Sequence, residues 1–423
     1  IEMRLFEALG GWVATVPELD VKVRLGTHCY HHAWHAELWH KRLPELREMN
    51  PDRLTVAPND EMVAFVAALT EPEAPELTIE KLVGVYRVLL PHKIAAYTYH
   101  LNATSSITDA PTIRSLRFIL QDEIEDWRDG EMLIQSLIDT PEEVERDPPG
   151  PSRGAARRGR RDRRSGNDRH QPIRGGDRAT MKRMLPVDEL ARDERFVRVT
   201  IEERMRDPRA PAQAGAPGER DRRLTPDKPD AVERARVLMH GIFTGELQAL
   251  EGAGRTTFDF DTGAGPQEVP FALKLDMARQ CWDEARHCEI SVKLGEWMGT
   301  AIGEFAESTF LYEAACNPDP VLRLTGVNRA LEGLAIDVFN TMREFAEAAG
   351  DPVLAFCEDW MLADEVTHVK MGSDWLRRLT EGDEERRRRA LEFQAVVDKL
   401  FSLGGLRGEK KSNPVQLARR FRE

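Results

Sequence analysis

Two segments of this chain read Glu-x-x-His, each with an aspartate in front: Asp283-Glu284-Ala285-Arg286-His287 and Asp364-Glu365-Val366-Thr367-His368. On a helix, positions i and i+3 share a face, so each segment offers a carboxylate and an imidazole to one point. One such motif is commonplace; two, each led by Asp, form a pattern. Glu246 and Glu332 each add a carboxylate from an apolar stripe. The first stripe is Met239, Ile242, Phe243, Ala249 and Leu250, and the second is Ala335, Ile336, Phe339 and Met342. Gly245 and Gly333 adjoin these two acids and leave room for a ligand, whereas Glu344 and Glu347 fall toward solvent. The order along the chain is Glu, Glu-x-x-His, Glu, Glu-x-x-His, with 38 residues from Glu246 to Glu284 and 33 from Glu332 to Glu365. Each gap fits one helical hairpin, so the pattern is an internal pseudo-repeat of two hairpins.

Four carboxylates on apolar stripes would converge in a dry interior. Burying one unpaired carboxylate costs several kcal/mol, and mutual repulsion makes four far worse. Two divalent cations supply the missing charge, and mixed carboxylate and imidazole ligation suits iron or manganese. The expected metal ligands are therefore Glu246, Glu284, His287, Glu332, Glu365 and His368. The competing reading pairs these acids with arginines on exposed faces. Asp283 and Asp364 are expected to accept the free N–H of a metal-bound histidine; as plain helix-surface acids they would face water instead. Cys281 and Cys288, at −3 and +4 from Glu284, are expected to line the core rather than ligate.

The elements that must position these residues are helices, and the fold class expected is all-α. Period-3.6 patterning places N-terminal helices near 22–49, 78–102 and 110–138. Pro44 is the weak point of the first, and Pro91 is expected to kink the second. C-terminal helices are expected at 229–252, 269–299, 326–349, 352–380 and 383–402. Gly350 followed by Asp351-Pro352 is a stop and then a start. Segment 253–268 reads as a loop, and 300–325 as a long connection with a short helix. The domain reading is 1–145 for an N-terminal helical domain and 146–228 for an Arg/Pro/Gly-rich linker. The metal-binding four-helix bundle then spans 229–380, with a C-terminal helix and tail at 381–423. Within the linker, 146–178 is rich in Arg, Gly and Pro and has no Lys. It reads as a disordered linker, with a reading-frame error and an arginine-rich nucleic-acid segment as the other two readings.

The N-terminal half carries His28, His31, His32, His35, Glu37 and His40 on one helix, Asp122, Glu123 and Asp126 on another, and His92 and His100 on a third. Two readings stand: a degenerate second metal site, or a His-rich helix packing through Trp34 and Trp39. Packing is preferred here, because sequence alone does not complete a symmetric ligand set. This half is otherwise expected to cap the C-terminal bundle or to bind substrate.

Net charge is −13 and the five cysteines form no C-x-x-C pair. The charge argues against nucleic acid as a partner, and the cysteines fit a reducing compartment. Segment 1–20 mixes acids and Arg4 among its apolar residues, which is not a signal peptide. No uncharged apolar run approaches the roughly 18 residues that suggest a bilayer span. A cytoplasmic protein without membrane association is expected.

The six ligand positions resemble the ferritin-like di-iron carboxylate superfamily, which includes ferritins, ribonucleotide reductase small subunits, bacterial multicomponent monooxygenases and a tRNA-modifying hydroxylase. The resemblance covers about residues 229–380. The segment from His240 to Glu251 (HGIFTGELQALE), with DEARH at 283–287, resembles a poorly characterised bacterial ferritin-like group. The resemblance implies a ferritin-like bundle holding two iron ions, with mixed iron–manganese or di-manganese occupancy left open. It implies an O2-dependent oxidoreductase, an oxygenase or oxidase of a small organic substrate. An external electron donor, a ferredoxin or a reductase, would serve it, since no nucleotide-binding glycine motif is evident. Ferroxidase or iron-handling activity and tRNA hydroxylation are the alternatives, and a scaffold with a structural metal is a further one. None of the five tyrosines falls on the ligand helices, which argues against a stable tyrosyl radical, and the additional N-terminal half argues against a storage cage.

Overall fold

In the computed structural model, residues 1–46, 55–57, 59–70, 73–138, 184–199, 224–402 and 421 are described. The expected linker 146–178 lies outside them. The helical periodicity becomes helix almost throughout: α1 (Glu2–Trp12), α2 (Leu19–Leu46), α3 (Asp60–Thr70), α4 (Thr78–Leu82), α5 (Leu90–Ala103), α6 (Ala110–Leu137), α7 (Ala231–Asp259), α8 (Phe271–Trp297), α9 (Phe310–Ala315), α10 (Pro320–Leu324), α11 (Glu332–Ala349), α12 (Pro352–Leu379) and α13 (Glu384–Ser402). Among the described residues the named strands are a single short pair, β1 (Asp261–Thr262) and β2 (Glu268–Val269). No described helix is long and apolar enough to cross a membrane.

Two compact units divide the chain. One comprises 1–5 and 31–181, the other 6–30 and 182–423. Residues 6–30 therefore group with the C-terminal half, unlike the boundary near 145 read from composition. The reason is close backbone approach. A Cβ on Gly254 would lie 2.3 Å from the carbonyl oxygen of Gly10, so only glycine lets these helices meet.

In the first unit, Leu82, Tyr86, Leu89, Leu116, Ile119 and Ile134 are buried together with the aromatic ring of Tyr86 lying flush on Gly130. Helix α2 runs past Pro44 to Leu46, so the proline does not end it where expected. Pro91 stands in the first turn of α5, directly after a π-helical stretch, Val83–Leu89, in which the Leu90 N–H reaches back to Val85. Proline can neither donate to a carbonyl four residues back nor tolerate its crowding; the wider turn absorbs both.

In the second unit, α7 packs on α8 and α11 on α12, while α11 also touches α7 and α12 touches α8. Between the pairs lies an apolar core that includes Met239, Ile242, Leu294, Phe339, Met342 and Met361. The hinge between α11 and α12 follows its sequence signals. Gly350 has φ 72°, and the Asp351 carboxylate accepts from the backbone N–H groups of Val353 and Leu354. One expectation is corrected: α7 does not stop at 252 but continues to Asp259, so the loop read at 253–268 begins later. Its glycines are contact points rather than terminators, because burial against neighbouring helices overrides their weak helix propensity. The connection 300–325 carries two short helices, α9 and α10, rather than one. A second π-helical stretch, Thr325–Leu331, runs directly into Glu332.

Candidate metal centre

Four helices of the second unit each bring a carboxylate to its interior. Glu246 comes from α7, Glu284 with His287 from α8, Glu332 from the first turn of α11, and Glu365 with His368 from α12; all six side chains are buried. The π-helical stretch before Glu332 shifts the helix register by one residue, a device frequent at functional sites, and Glu332 faces inward at its end.

The six residues fall into two overlapping sets whose ligand atoms lie within 4.8 Å of one another. One is Glu246, Glu284, His287 and Glu365; the other is Glu284, Glu332, Glu365 and His368. Glu284 and Glu365 belong to both. Each set then has one further glutamate and one histidine of its own. Nδ1 of His287 lies 3.0 Å from Glu246, 3.1 Å from Glu284 and 3.2 Å from Glu365. Nδ1 of His368 lies 3.2 Å from Glu284 and 3.3 Å from Glu365.

The outward nitrogens are held by the two aspartates, and the pairing is crossed. Nε2 of His287 meets Asp364 at 3.3 Å, and Nε2 of His368 meets Asp283 at 3.4 Å. Each aspartate thus orients the histidine of the other motif, tying α8 to α12. The carboxylates are braced in turn. Arg279 donates to both oxygens of Asp283 at 3.0 Å, and Arg286 reaches both Asp283 and Asp364. The Arg286 guanidinium lies between the rings of Trp282 and Trp360, 4.8 and 4.9 Å from their centres.

Ionisation follows from crowding. Burial, with Glu284 and Glu365 nearby, pushes Glu246 well above the usual carboxylate range against the opposing pull of His287. Burial and the same two neighbours push Glu332 up as well. Burial would also raise Glu365, but His368 and His287 outweigh it and hold it low. Burial would lower His368, yet Glu365, Glu284 and Asp283 raise it to about 10. Without a cation, the cluster keeps its charge balanced only by holding protons on carboxylates and imidazoles together. One oxygen of Glu332 and one of Glu365 have no hydrogen-bond partner. Buried orphan acceptors crowded about one point are what a metal ion would satisfy.

Several residues of the site were not singled out from sequence. Gln280, one turn before Glu284, donates its amide to Glu284 at 2.9 Å and to Glu332 at 2.7 Å, and its oxygen accepts from Asn328 on the π-helical stretch. Arg279 and Arg286 join the site through the two aspartates. Glu358 is the least expected. It is fully buried, neither oxygen has a hydrogen-bond partner, and burial pushes it up to about 8, with His287 pulling the other way. Its one signal is its place on the stripe Leu354, Met361, Glu365, His368. Cys281 and Cys288 are buried, as core-lining residues would be, and belong to neither ligand set.

A cavity of about 230 Å³ lies along α7 and α8, lined by residues including Arg195, His240, Phe243, Ser291 and Ile302 and by none of the six ligand candidates. Phe243 is one turn from Glu246, and Ser291 one turn from His287.

Fold and site define a largely helical protein with buried carboxylate–histidine clusters able to hold metal ions. The chain belongs to the family described as protein of unknown function DUF455, whose model matches residues 178–416. No curated protein and no solved structure matches it.

Proposed function

We propose that residues 229–380 form a ferritin-like four-helix bundle holding two iron ions, and that the protein is an O2-dependent oxygenase or oxidase of a small organic substrate. The observation that carries this reading is the sharing of Glu284 and Glu365 between two ligand sets, each completed by its own Glu and His. Glu246 and His287 would hold one ion, Glu332 and His368 the other, with Glu284 and Glu365 between them. Oxygen and imidazole donors without thiolate favour iron, with manganese as the close competitor. When bound, ferrous ions supply electrons and open coordination positions for O2.

The chain's own residues do the rest. Asp364 and Asp283 fix the rings of His287 and His368. Gln280 orients Glu284 and Glu332. Glu358 holds a proton within the same apolar core at neutral pH. The cavity along α7 and α8, with wall residues Phe243 and Ser291 one helical turn from Glu246 and His287, gives an organic molecule a place, which favours substrate oxidation over ferroxidase activity. Electrons would come from a ferredoxin or a reductase.

Metal analysis tests the reading. Wild type expressed with iron should hold two irons per chain, and Glu284→Ala with Glu365→Ala should lose them while helical circular dichroism persists. A well-folded wild type that binds neither iron nor manganese refutes the proposal. With iron present, substrate-dependent O2 uptake supports an oxygenase, and turnover of Fe²⁺ alone assigns a ferroxidase.

A further inference from the structure

The first unit holds a second convergence of acids and histidines, and its centre is a lysine. Glu2 from α1, His32 and His35 from α2 and Glu123 from α6 bring ligand atoms within 4.8 Å of one another, and all four are buried. Lys93 from α5 enters the middle of the group and is itself buried. Its Nζ lies 2.8 Å from Glu2 Oε2, 2.5 Å from Glu123 Oε1 and 3.2 Å from His32 Nδ1. An ammonium has three protons to donate, and with the His32 proton on Nε2 all three find acceptors.

The surrounding groups converge on that ammonium. His32 Nδ1 lies 3.1 Å from Glu2 Oε2 and 3.2 Å from Lys93 Nζ, so the ring nitrogen and the carboxylate meet at the ammonium. The second oxygen of Glu123, Nε2 of His32 and Nδ1 of His35 have no hydrogen-bond partner. Nδ1 of His35 lies 3.2 Å from Glu123 Oε1. His35 is anchored from behind by Asp122, 3.0 Å from its Nε2. A histidine fixed on one nitrogen by a carboxylate, with the other turned into an acid-lined pocket, is the arrangement of a metal ligand.

We propose that Lys93 is a tethered cation standing at a single-ion metal position, and that removing its side chain turns Glu2, His32, His35 and Glu123 into a site for one divalent transition ion. Two carboxylates and two imidazoles are a donor set that Zn²⁺ accepts. In the native chain the ammonium does the ion's electrostatic work without its redox or Lewis-acid chemistry. The first unit is then held together by a metal-type cluster that needs no metal.

Zn²⁺ binding to the full chain tests this by equilibrium dialysis at neutral pH. The count is a difference from wild type, so it is independent of what the other unit holds. Lys93→Ala should take one Zn²⁺ per chain more than wild type, and Lys93→Ala with His35→Ala should lose that ion. Wild type and His35→Ala should take equal numbers. If Lys93→Ala keeps its helical circular dichroism yet binds no additional ion, the proposal fails. It fails equally if His35→Ala alone removes an ion from the otherwise native chain. Should Lys93→Ala not fold by itself, refolding on addition of Zn²⁺ is the expected result, and no recovery with Zn²⁺ overturns the idea.

Discussion

Replacing Glu358 by glutamine should stabilise the metal-free protein, by an amount that grows with pH. The carboxyl group is fully buried, without a hydrogen-bond partner on either oxygen, and its pKa is pushed from 4.5 to about 8. Folding therefore favours the protonated form. Between these two values the folded chain holds more of this proton than the unfolded chain does, so this group's contribution to stability is complete below the lower value and falls as pH rises toward the upper one. At about 1.4 kcal/mol per pKa unit the loss approaches about 5 kcal/mol well above the folded value, and is about 3 kcal/mol at neutral pH. Glutamine has the same shape and is neutral throughout, so it resembles the protonated acid at every pH. The stability gap between Glu358→Gln and wild type should widen from about 1 kcal/mol near about pH 5 to about 4 kcal/mol near about pH 8. Urea unfolding of chelator-treated protein, followed by far-ultraviolet circular dichroism at both values, measures it. A gap that stays flat, or a wild type that gains on the variant as pH rises, refutes the assignment of an isolated buried acid.

Three further outcomes follow from the same geometry. Gln280→Ala removes the amide that holds Glu284 and Glu332 together, and iron retention against a competing chelator should weaken by roughly 10–100-fold; unchanged retention would deny it that role. Asp364→Ala frees Nε2 of His287 on the other motif, so iron affinity should fall by a similar factor of roughly 10–100; a variant that binds iron as wild type does would show that the crossed pairing is incidental. Gly254→Ala would place a methyl group 2.3 Å from the Gly10 carbonyl oxygen. It should cost about 1–3 kcal/mol through overpacking, read as a lower thermal midpoint, and an unchanged midpoint would mean that the two backbones part easily.

Much of the C-terminal organisation was legible from local pattern. Glu-x-x-His at helical spacing, acids on apolar stripes and a Gly-Asp-Pro hinge are each written within a few residues, and helix geometry converts them directly into facing side chains. That is why all six ligand candidates lie buried where the stripes place them, and why Gly350 and Asp351 divide α11 from α12. Helix ends were less legible. Gly252 and Gly254 read as breakers, but their neighbours in space make them contact points, and α7 continues to Asp259.

Only the tertiary structure decided the pairings between distant segments. The sequence marks Asp283 and Asp364 as supports for histidines, but not that each supports the other motif's ring, because that depends on the offset between α8 and α12. Gln280 and Glu358 carry no motif, and Arg286 stands inside one without a role of its own there; the roles come from what lies across the helix interface. The N-terminal cluster is the clearest case. From sequence its histidines read as packing residues, because the ligand set was incomplete. The missing members, Glu2 and Lys93, lie 91 residues apart. A helix face shows which way a side chain points, but the charge waiting opposite it belongs to another part of the chain, and local spacing holds no record of that.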